Sequence, residues 1–163
     1  MSRIRAVIAK IGIFIAIGCG SGLLRPAPGT WGSLAAVAIA AGLYHWLGHW
    51  SVLFAALAAS GIGVWAADVY ERRTGKSDAS EVVIDEWAGQ WIALWPVAAL
   101  VPDMTVFWAA GFGLFRVFDI IKPGPIGQLD RRLKGGVGVM ADDILAGLVS
   151  AALLYGGILL HHG

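Results

Sequence analysis

The sequence predicts an all-α, multi-pass membrane helix bundle with about five transmembrane helices and an N-terminal interfacial or re-entrant helix. The chain is 58% hydrophobic and 14% charged, with a mean hydropathy of +0.73, whereas a soluble domain of this length would need more polar surface. Residues 26–67 contain no Asp, Glu, Lys or Arg, a length that suffices for two crossings of about 20 residues each. Strands are not expected, because an open sheet cannot satisfy its backbone hydrogen bonds in lipid.

The N-terminal segment from Ile4 to Gly20 is apolar but has basic residues on both sides, from Arg3 to Lys10 and again at Arg25. We therefore expect it to lie along the membrane interface or dip into it, with a sixth crossing as the alternative. A secretory signal is disfavoured, because Lys10 shortens the apolar core and the charge-free run resumes soon afterwards.

The remaining spans follow one another without a repeat or a low-complexity tract, so we predict a single domain over residues 1–163. Thr30 can cap the first span, and Asp142 can open the fifth. Pro102 and Asp103 form a turn after the third span, and Pro123 stops the fourth. The predicted spans are Trp31 to Leu47, Val52 to Ala67, Val82 to Val101, Met104 to Ile121 and Asp142 to Leu160.

Lysine and arginine occur at only one of the two ends of the predicted spans. The turns near residues 47–51 and 102–103 and the tail 161–163 have none. By the positive-inside rule the basic segments are cytoplasmic, which places the C-terminus outside. The sequence therefore predicts a multi-pass membrane protein whose basic and acidic segments face the cytoplasm.

Ten of the eleven acidic residues fall within residues 68–86 and 119–143, and Asp103 is the exception. With the orientation above, these acids share one membrane face, where charged residues are functional candidates by default. Some of them we interpret as interfacial or loop charges. These are Asp68, Asp78 and Glu81.

Two acidic pairs stand near the starts of predicted spans. Asp85 and Glu86 begin the third span, Asp142 and Asp143 begin the fifth, and small residues follow each pair, which would let another helix approach closely. Either pair alone could simply stabilise a helix N-terminus. Asp119 is different, because it lies near the C-terminal end of the fourth span, where the helix dipole disfavours negative charge.

An ion pair with Arg116 or Lys122, each three residues away, would be a purely structural explanation for Asp119. If the carboxylates converge instead, their repulsion requires a cation. Oxygen ligands favour Mg²⁺, with Mn²⁺ or Ca²⁺ as alternatives, and zinc is disfavoured because the four histidines map to the opposite side. The predicted metal ligands are Asp85, Glu86, Asp119 and Asp143, with Asp142 as an alternative or additional ligand to one or two ions.

Groups suited to binding phosphate are predicted beside these acids. A turn from Thr30 to Ser33 offers backbone N–H groups at a helix start, while Lys122 and Arg131 supply positive charge. Asp130 is either a member of the site or the ion-pair partner of a neighbouring arginine. Acids and bases at headgroup depth predict a metal-assisted phosphoryl reaction on an amphiphile. The predicted substrate-binding residues are Thr30, Ser33, Lys122, Asp130 and Arg131.

Four sequence runs, in order and at similar separations, resemble the phosphatidylglycerophosphatase A family. They are PGTWGS from Pro28, DEW from Asp85, FRVFDIIKP from Phe115 and GGVGVMADD from Gly135. The resemblance covers about residues 20–147. It implies a Mg²⁺-dependent integral membrane phosphatase that converts phosphatidylglycerophosphate to phosphatidylglycerol and inorganic phosphate.

For this chemistry we predict four catalytic carboxylates and leave the nucleophile open. Either a water molecule attacks phosphorus while a spare carboxylate takes its proton, or a carboxylate attacks and forms an acyl phosphate. Lys122 and Arg131 would neutralise charge on the phosphoryl group. The predicted catalytic residues are Asp85, Asp119, Asp142 and Asp143.

Three other functions compete with this interpretation. A proton- or cation-coupled transporter would need acids in the middle of spans, yet residues 55–63 and 92–99 carry no charge. A membrane scaffold would explain the Gly and Ala content but not Asp119. A CDP-alcohol phosphotransferase would need an Asp-Gly pair, which this chain lacks. The expected partners are a phospholipid substrate and membrane lipids but no nucleic acid, and the oligomeric state stays open.

Overall fold

The computed structural model describes residues 3–77 and 79–162, apart from the side chains of residues 130 and 131. Asp78 and the side chains of Asp130 and Arg131 therefore lie outside the described residues. The described part is helical and contains no strand, which confirms the all-α prediction. Its helices are α1 (Arg3–Ala16), α2 (Pro28–Leu47), α3 (His49–Thr74), α4 (Ile84–Leu100), α5 (Thr105–Ile121), α6 (Pro125–Arg132) and α7 (Gly135–His162), with a 3-10 segment at Gly18–Leu23.

Helix α4 lies at the centre of the bundle. It packs against α2, α3, α5 and α7, and its side chains Trp87, Trp91 and Leu94 are buried. The indole N–H of Trp91 donates a hydrogen bond of 2.8 Å to the carbonyl of Ala36, which ties α4 to α2. The first turn of α4 is thereby surrounded by the ends of the other helices.

Two helices, α3 and α7, are long and apolar enough to cross a membrane, judged by length and composition. Helices α4 and α5 have 17 residues each, about 25 Å at 1.5 Å per residue, the lower limit for a crossing. Large apolar side chains such as Phe54, Leu57 and Leu153 are exposed on the bundle, as lipid-facing residues would be. The structure thus supports two of the five predicted spans, and the other three stay a prediction.

Two predicted helix starts are wrong. Helix α2 begins at Pro28 with Ala27 as its N-cap residue, so Thr30 lies inside the first turn and does not cap it. Helix α7 begins at Gly135, which places Asp142 about two turns inside the helix and not at its start. The glycines of residues 135–138 have low helix propensity, which made this stretch resemble a loop.

Tertiary contacts explain why α7 begins so early. The backbone N–H of Gly136 donates a hydrogen bond of 2.6 Å to Oδ1 of Asp68 on α3. Gly136 also lies against the carbonyl of Val64, where a Cβ would collide. Asp68, predicted as an interfacial charge, thus caps α7.

Helix α1 packs on α3 through small residues. Ala9, Gly12 and Ala16 are buried, and a Cβ at Gly12 would come within 2.9 Å of Cγ1 of Val69. At 14 residues, α1 is shorter than the roughly 17 that a crossing needs. The length of α1 favours the interfacial alternative over a sixth crossing.

Candidate active site

A cavity of about 490 Å³ lies at the end of the bundle where α2, α4 and α7 begin and α3 and α5 end, hereafter the cavity end. Carboxylates from α4, α5 and α7 line it, together with three basic residues among those the structure describes. If all of them are ionised, the negative charges outnumber the positive ones. The lining acids are Asp85, Glu86, Asp119, Asp142 and Asp143, and the lining bases are Arg116, Lys122 and Lys134.

Three of these acids form the tightest group. Asp85 and Glu86 lie in the first turn of α4, and each can offer one oxygen within 4.8 Å of one from Asp143 on α7. Within the described residues, Oε2 of Glu86 and Oδ2 of Asp143 are buried without a hydrogen-bond partner. Leaving such oxygens unsatisfied is costly. A cation would satisfy both, and an all-oxygen donor set fits Mg²⁺.

The group forms because α4 and α7 approach each other through glycines. A Cβ at Gly89, one turn after Glu86, would come within 2.5 Å of the carbonyl oxygen of Asp143 and of Phe115. A Cβ at Gly147, one turn after Asp143, would collide with the carbonyl of Gly89. The predicted close approach at small residues is confirmed, and it brings the two acidic positions face to face.

Asp119 was predicted as a fourth metal ligand, but the structure does not include it in this group. Its Oδ2 forms an ion pair with Nη1 of Arg116, which confirms the contact proposed as the structural alternative. Asp119 still lies close enough to Asp85, Glu86 and Asp143 to interact with them electrostatically. The ion pair with Arg116 therefore holds Asp119 at the cavity and does not remove it from the site.

Arg116 is a site residue for which the sequence predicts only an ion pair with Asp119. Its Nη1 also lies 3.8 Å from Oε1 of Glu86 and donates a hydrogen bond of 3.2 Å to Oγ of Ser33. One guanidinium thus links α2, α4 and α5. The available signal was its position one turn before Asp119, which puts both residues on the same side of α5.

Lys122 and Asp142 form an ion pair of 2.5 Å between the end of α5 and α7. Lys122 ends α5 in the left-handed conformation, with φ 45° and ψ 55°, which is uncommon for a residue other than glycine. Asp142 is buried, with 4% of its surface exposed. The structure therefore places Asp142 at the cavity wall with Lys122, beside the three-residue group and not within it.

The start of α2 contributes Thr30 to the cavity lining, whereas Ser33 is fully buried behind it. The hydroxyl of Ser33 donates to the carbonyl of Gly29 at 2.9 Å and accepts from Arg116. A Cβ at Gly29 would collide with Oε1 of Glu86. The Pro-Gly-Thr run thus needs its glycine so that α2 can approach Glu86. The predicted roles of Asp130 and Arg131 stay predictions, since their side chains lie outside the described residues.

Glu81, predicted as a loop charge, lies in the connection between α3 and α4. Its Oε1 accepts hydrogen bonds from Lys76 at 2.8 Å and from the hydroxyl of Tyr70 at 2.7 Å. The bond from Lys76, followed by that from Tyr70, lowers the pKa of Glu81 from 4.5 to about 2. These bonds hold a loop whose residues Ser77 and Ser80 line the cavity.

Comparison with known proteins relates most of the chain to proteins named as phospholipid phosphatases. Residues 14–158 match the family model described as Phosphatidylglycerophosphatase A. Relatives named phosphatidylglycerophosphatase A are 37% identical in Haemophilus influenzae, over 86% of this chain and 85% of that protein, and 39% identical in Escherichia coli K12, over 86% and 80%. A Bacteroides thetaiotaomicron protein, provisionally named a phosphatidylinositol-3-phosphatase, is 40% identical over 87% of this chain and 90% of its own length. No solved structure matches the chain.

Proposed function

This chain belongs to the phosphatidylglycerophosphatase A family of phosphatases, and we propose that it hydrolyses phosphatidylglycerophosphate to phosphatidylglycerol and inorganic phosphate in a Mg²⁺-dependent reaction. The observation that carries the proposal is the group of Asp85, Glu86 and Asp143, which opens into a cavity also lined by basic residues. Acids alone would repel a phosphate, and bases alone would bind it without activating it. Their combination suits phosphate-ester hydrolysis.

Asp85, Glu86 and Asp143 would hold the metal, because each supplies an oxygen close to those of the other two. One oxygen of Glu86 and one of Asp143 also lack a hydrogen-bond partner in the described structure. When bound, Mg²⁺ stabilises the negative charge that develops on phosphate oxygens. Arg116 and Lys122 lie beside the group on α5 and its end. Their positive charges would bind and orient the phosphate oxygens.

The remaining carboxylates are suited to proton transfer. Asp119 and Asp142 line the cavity outside the three-residue group, and each is oriented by a basic partner. Either one could take the proton of an attacking water molecule. The competing route is attack by a carboxylate on phosphorus, which breaks the P–O bond to the glycerol, releases phosphatidylglycerol after protonation and forms an acyl phosphate that water then hydrolyses. Transfer of ¹⁸O from labelled carboxylate into released phosphate in a single turnover would rule out the water route.

We further propose that α2, α3, α4, α5 and α7 cross the bacterial inner membrane with the cavity end facing the cytoplasm. The basic residues of the sequence gather at the cavity end, and the opposite turns have none. A phosphate at headgroup depth could then reach the carboxylates while the acyl chains stay in the bilayer. Cysteines introduced at Gly48 and Lys76, in a Cys19→Ser background, should label from opposite sides of the membrane. Labelling of both from one side would contradict this topology.

The direct test is phosphate release from phosphatidylglycerophosphate by the purified protein, with and without EDTA. We expect EDTA to abolish activity and added Mg²⁺ to restore it. Without a cation, the negative charges of Asp85, Glu86 and Asp143 repel the phosphate of the substrate. Activity that is indifferent to EDTA would rule out the metal. An Asp119→Asn variant as active as the wild type would rule out the proposed participation of Asp119.

A second substrate is suggested by the Bacteroides relative, whose provisional name assigns it phosphatidylinositol 3-phosphate. Both lipids present a phosphate monoester at the membrane surface, so the same site chemistry could serve either. The ratio of kcat/KM for the two lipids, measured on the same protein, separates these activities. We expect a higher kcat/KM for phosphatidylglycerophosphate. A higher kcat/KM for phosphatidylinositol 3-phosphate would indicate that the inositol lipid is the preferred substrate.

A further inference from the structure

A second cavity, of about 200 Å³, lies between α1 and the C-terminal end of α3. It shares no lining residue with the candidate active site. Three arginines surround it, and its other lining residues are apolar. The lining consists of Arg5, Arg72, Arg73, Ile8, Ala9 and Val69.

The positive charge of this cavity is largely unbalanced. Within the described residues, neither Arg5 nor Arg73 forms an ion pair. Arg72 lies 3.9 Å from Asp68, with side chains 65% and 37% exposed, and such exposed pairs are weak. Asp68 already accepts the N–H of Gly136. Guanidinium groups that converge on one cavity form a site for an anion, and their planar donors suit phosphate in particular.

The surface next to this cavity indicates where the anion comes from. One face of α1 is buried against α3, but the other exposes large apolar side chains, with Ile4 70%, Ile8 46% and Ile11 50% exposed. Ile8 belongs both to this exposed stripe and to the cavity lining. An apolar stripe beside basic groups is the pattern of a helix that lies in a lipid interface.

We propose that this cavity binds the headgroup phosphate of an anionic phospholipid whose acyl chains lie along the exposed face of α1. A volume of about 200 Å³ accommodates a phosphate but not a whole lipid. The acyl chains must therefore lie outside it, against the apolar stripe. The bound lipid would bridge Arg5 of α1 to Arg72 and Arg73 of α3 and so hold α1 on the bundle.

The test measures lipid retained by the purified full-length chain in neutral detergent, by native mass spectrometry, after addition of phosphatidylglycerol or phosphatidylcholine. The test variant is Arg5→Gln with Arg73→Gln. The matched control is Arg3→Gln with Lys10→Gln, which removes the same charge from exposed positions outside the cavity. We expect the test variant to bind phosphatidylglycerol at least about 30-fold more weakly, since each arginine that loses a charge-assisted hydrogen bond to the phosphate contributes a factor of about five or more. The control variant should bind it like the wild type.

Three outcomes would overturn the proposal. Equal losses in the test and control variants would mean that the charge acts only as a diffuse surface field. Equal retention of phosphatidylcholine by the wild type would mean that the net negative charge of the headgroup is not recognised, since this lipid has the same phosphate but no net charge. Displacement of the lipid by millimolar inorganic phosphate would mean that the cavity binds free phosphate and not a lipid headgroup. None of these outcomes affects the proposed hydrolysis, which is assayed separately in micelles and should be unchanged in the test variant.

Discussion

The two ends of the helix bundle use glycine for different purposes. At the cavity end, Gly29, Gly89 and Gly147 lie so close to neighbouring helices that an added Cβ would collide or be forced to displace its neighbour. Towards the opposite end, Gly48 and Gly157 would place a Cβ in open space. At these positions, helices approach each other most closely where the carboxylates meet.

The charges differ in the same way. Five carboxylates line the cavity, whereas Asp103 is the one acidic residue of the sequence outside the two acidic stretches. The opposite end instead carries aromatic residues, among them Trp46 and Trp50, which are 81% and 54% exposed and suit a membrane interface. The proposed chemistry thus belongs to the closely packed end alone.

Replacing one acid at each end is expected to give the largest contrast. Asp143→Asn removes a charged oxygen from the three-residue group, so we expect kcat/KM for phosphatidylglycerophosphate to fall by about 10³-fold or more. Asp103→Asn, at the opposite end, should leave it unchanged. The two variants are compared by phosphate release under identical conditions. Similar losses for both would remove the distinction between the ends.

Replacing Arg116 tests whether charge or geometry matters at the cavity. Arg116→Lys keeps the positive charge but cannot span Ser33, Glu86 and Asp119 with one planar group. We expect kcat/KM to fall by about 10²-fold, with a smaller change in thermal stability than for Arg116→Gln. A fully active lysine variant would show that position 116 supplies only charge.

Adding one methyl group at each end tests the role of close contact. Gly89→Ala places a Cβ within 2.5 Å of the carbonyl oxygen of Asp143 and of Phe115, and such overpacking costs about 1–3 kcal/mol. Gly157→Ala meets nothing within 4 Å and should stabilise its helix by about 0.5–1 kcal/mol. Unfolding in detergent measures both changes. Equal effects of the two variants would mean that close packing is not confined to the cavity end.

The smallest expected effect concerns the connecting loops of the two ends and their dependence on pH. Because the folded pKa of Glu81 is lowered from 4.5 to about 2, its ion pair stabilises the fold above about pH 4.5, and this contribution is lost as the pH falls towards 2. The stability difference between wild type and Glu81→Gln should therefore shrink over that range. At the opposite turn, the hydroxyl of Ser51 donates one hydrogen bond shared between the carbonyls of Leu43 and Gly48, so Ser51→Ala should give a difference that does not change with pH. A constant difference for Glu81→Gln would contradict the assigned ion pair.

Much of the architecture could be predicted from local patterns. The apolar runs predicted the cavity ends of α2, α4 and α5 to within a few residues. The predicted end of α3 was less accurate. Helix α3 reaches Thr74 where Ala67 was predicted, because charged residues in its last turns resembled a loop. The first-turn position of Asp85 and Glu86 was also correct, since it depends only on where the apolar run begins.

Other features depended on contacts between distant parts of the chain. The start of α7 requires Asp68 on α3 to accept the N–H of Gly136, and no local pattern around residue 135 indicates this. The role of Arg116 depends on Ser33 and Glu86, which belong to two other helices. Partners this far apart in the sequence become neighbours only when the helices pack.

The amino-acid order alone determined that the chain forms apolar helices, that its acids and bases gather at one end, and that a phosphate ester is the expected substrate. These properties follow from composition and from the spacing of residues along the chain. Which acids meet depends on helix packing, because Asp85, Glu86 and Asp143 come together through the close approach of α4 and α7 at Gly89 and Gly147. The distance between α4 and α7 is set by packing between helices, so no single segment of the sequence determines it.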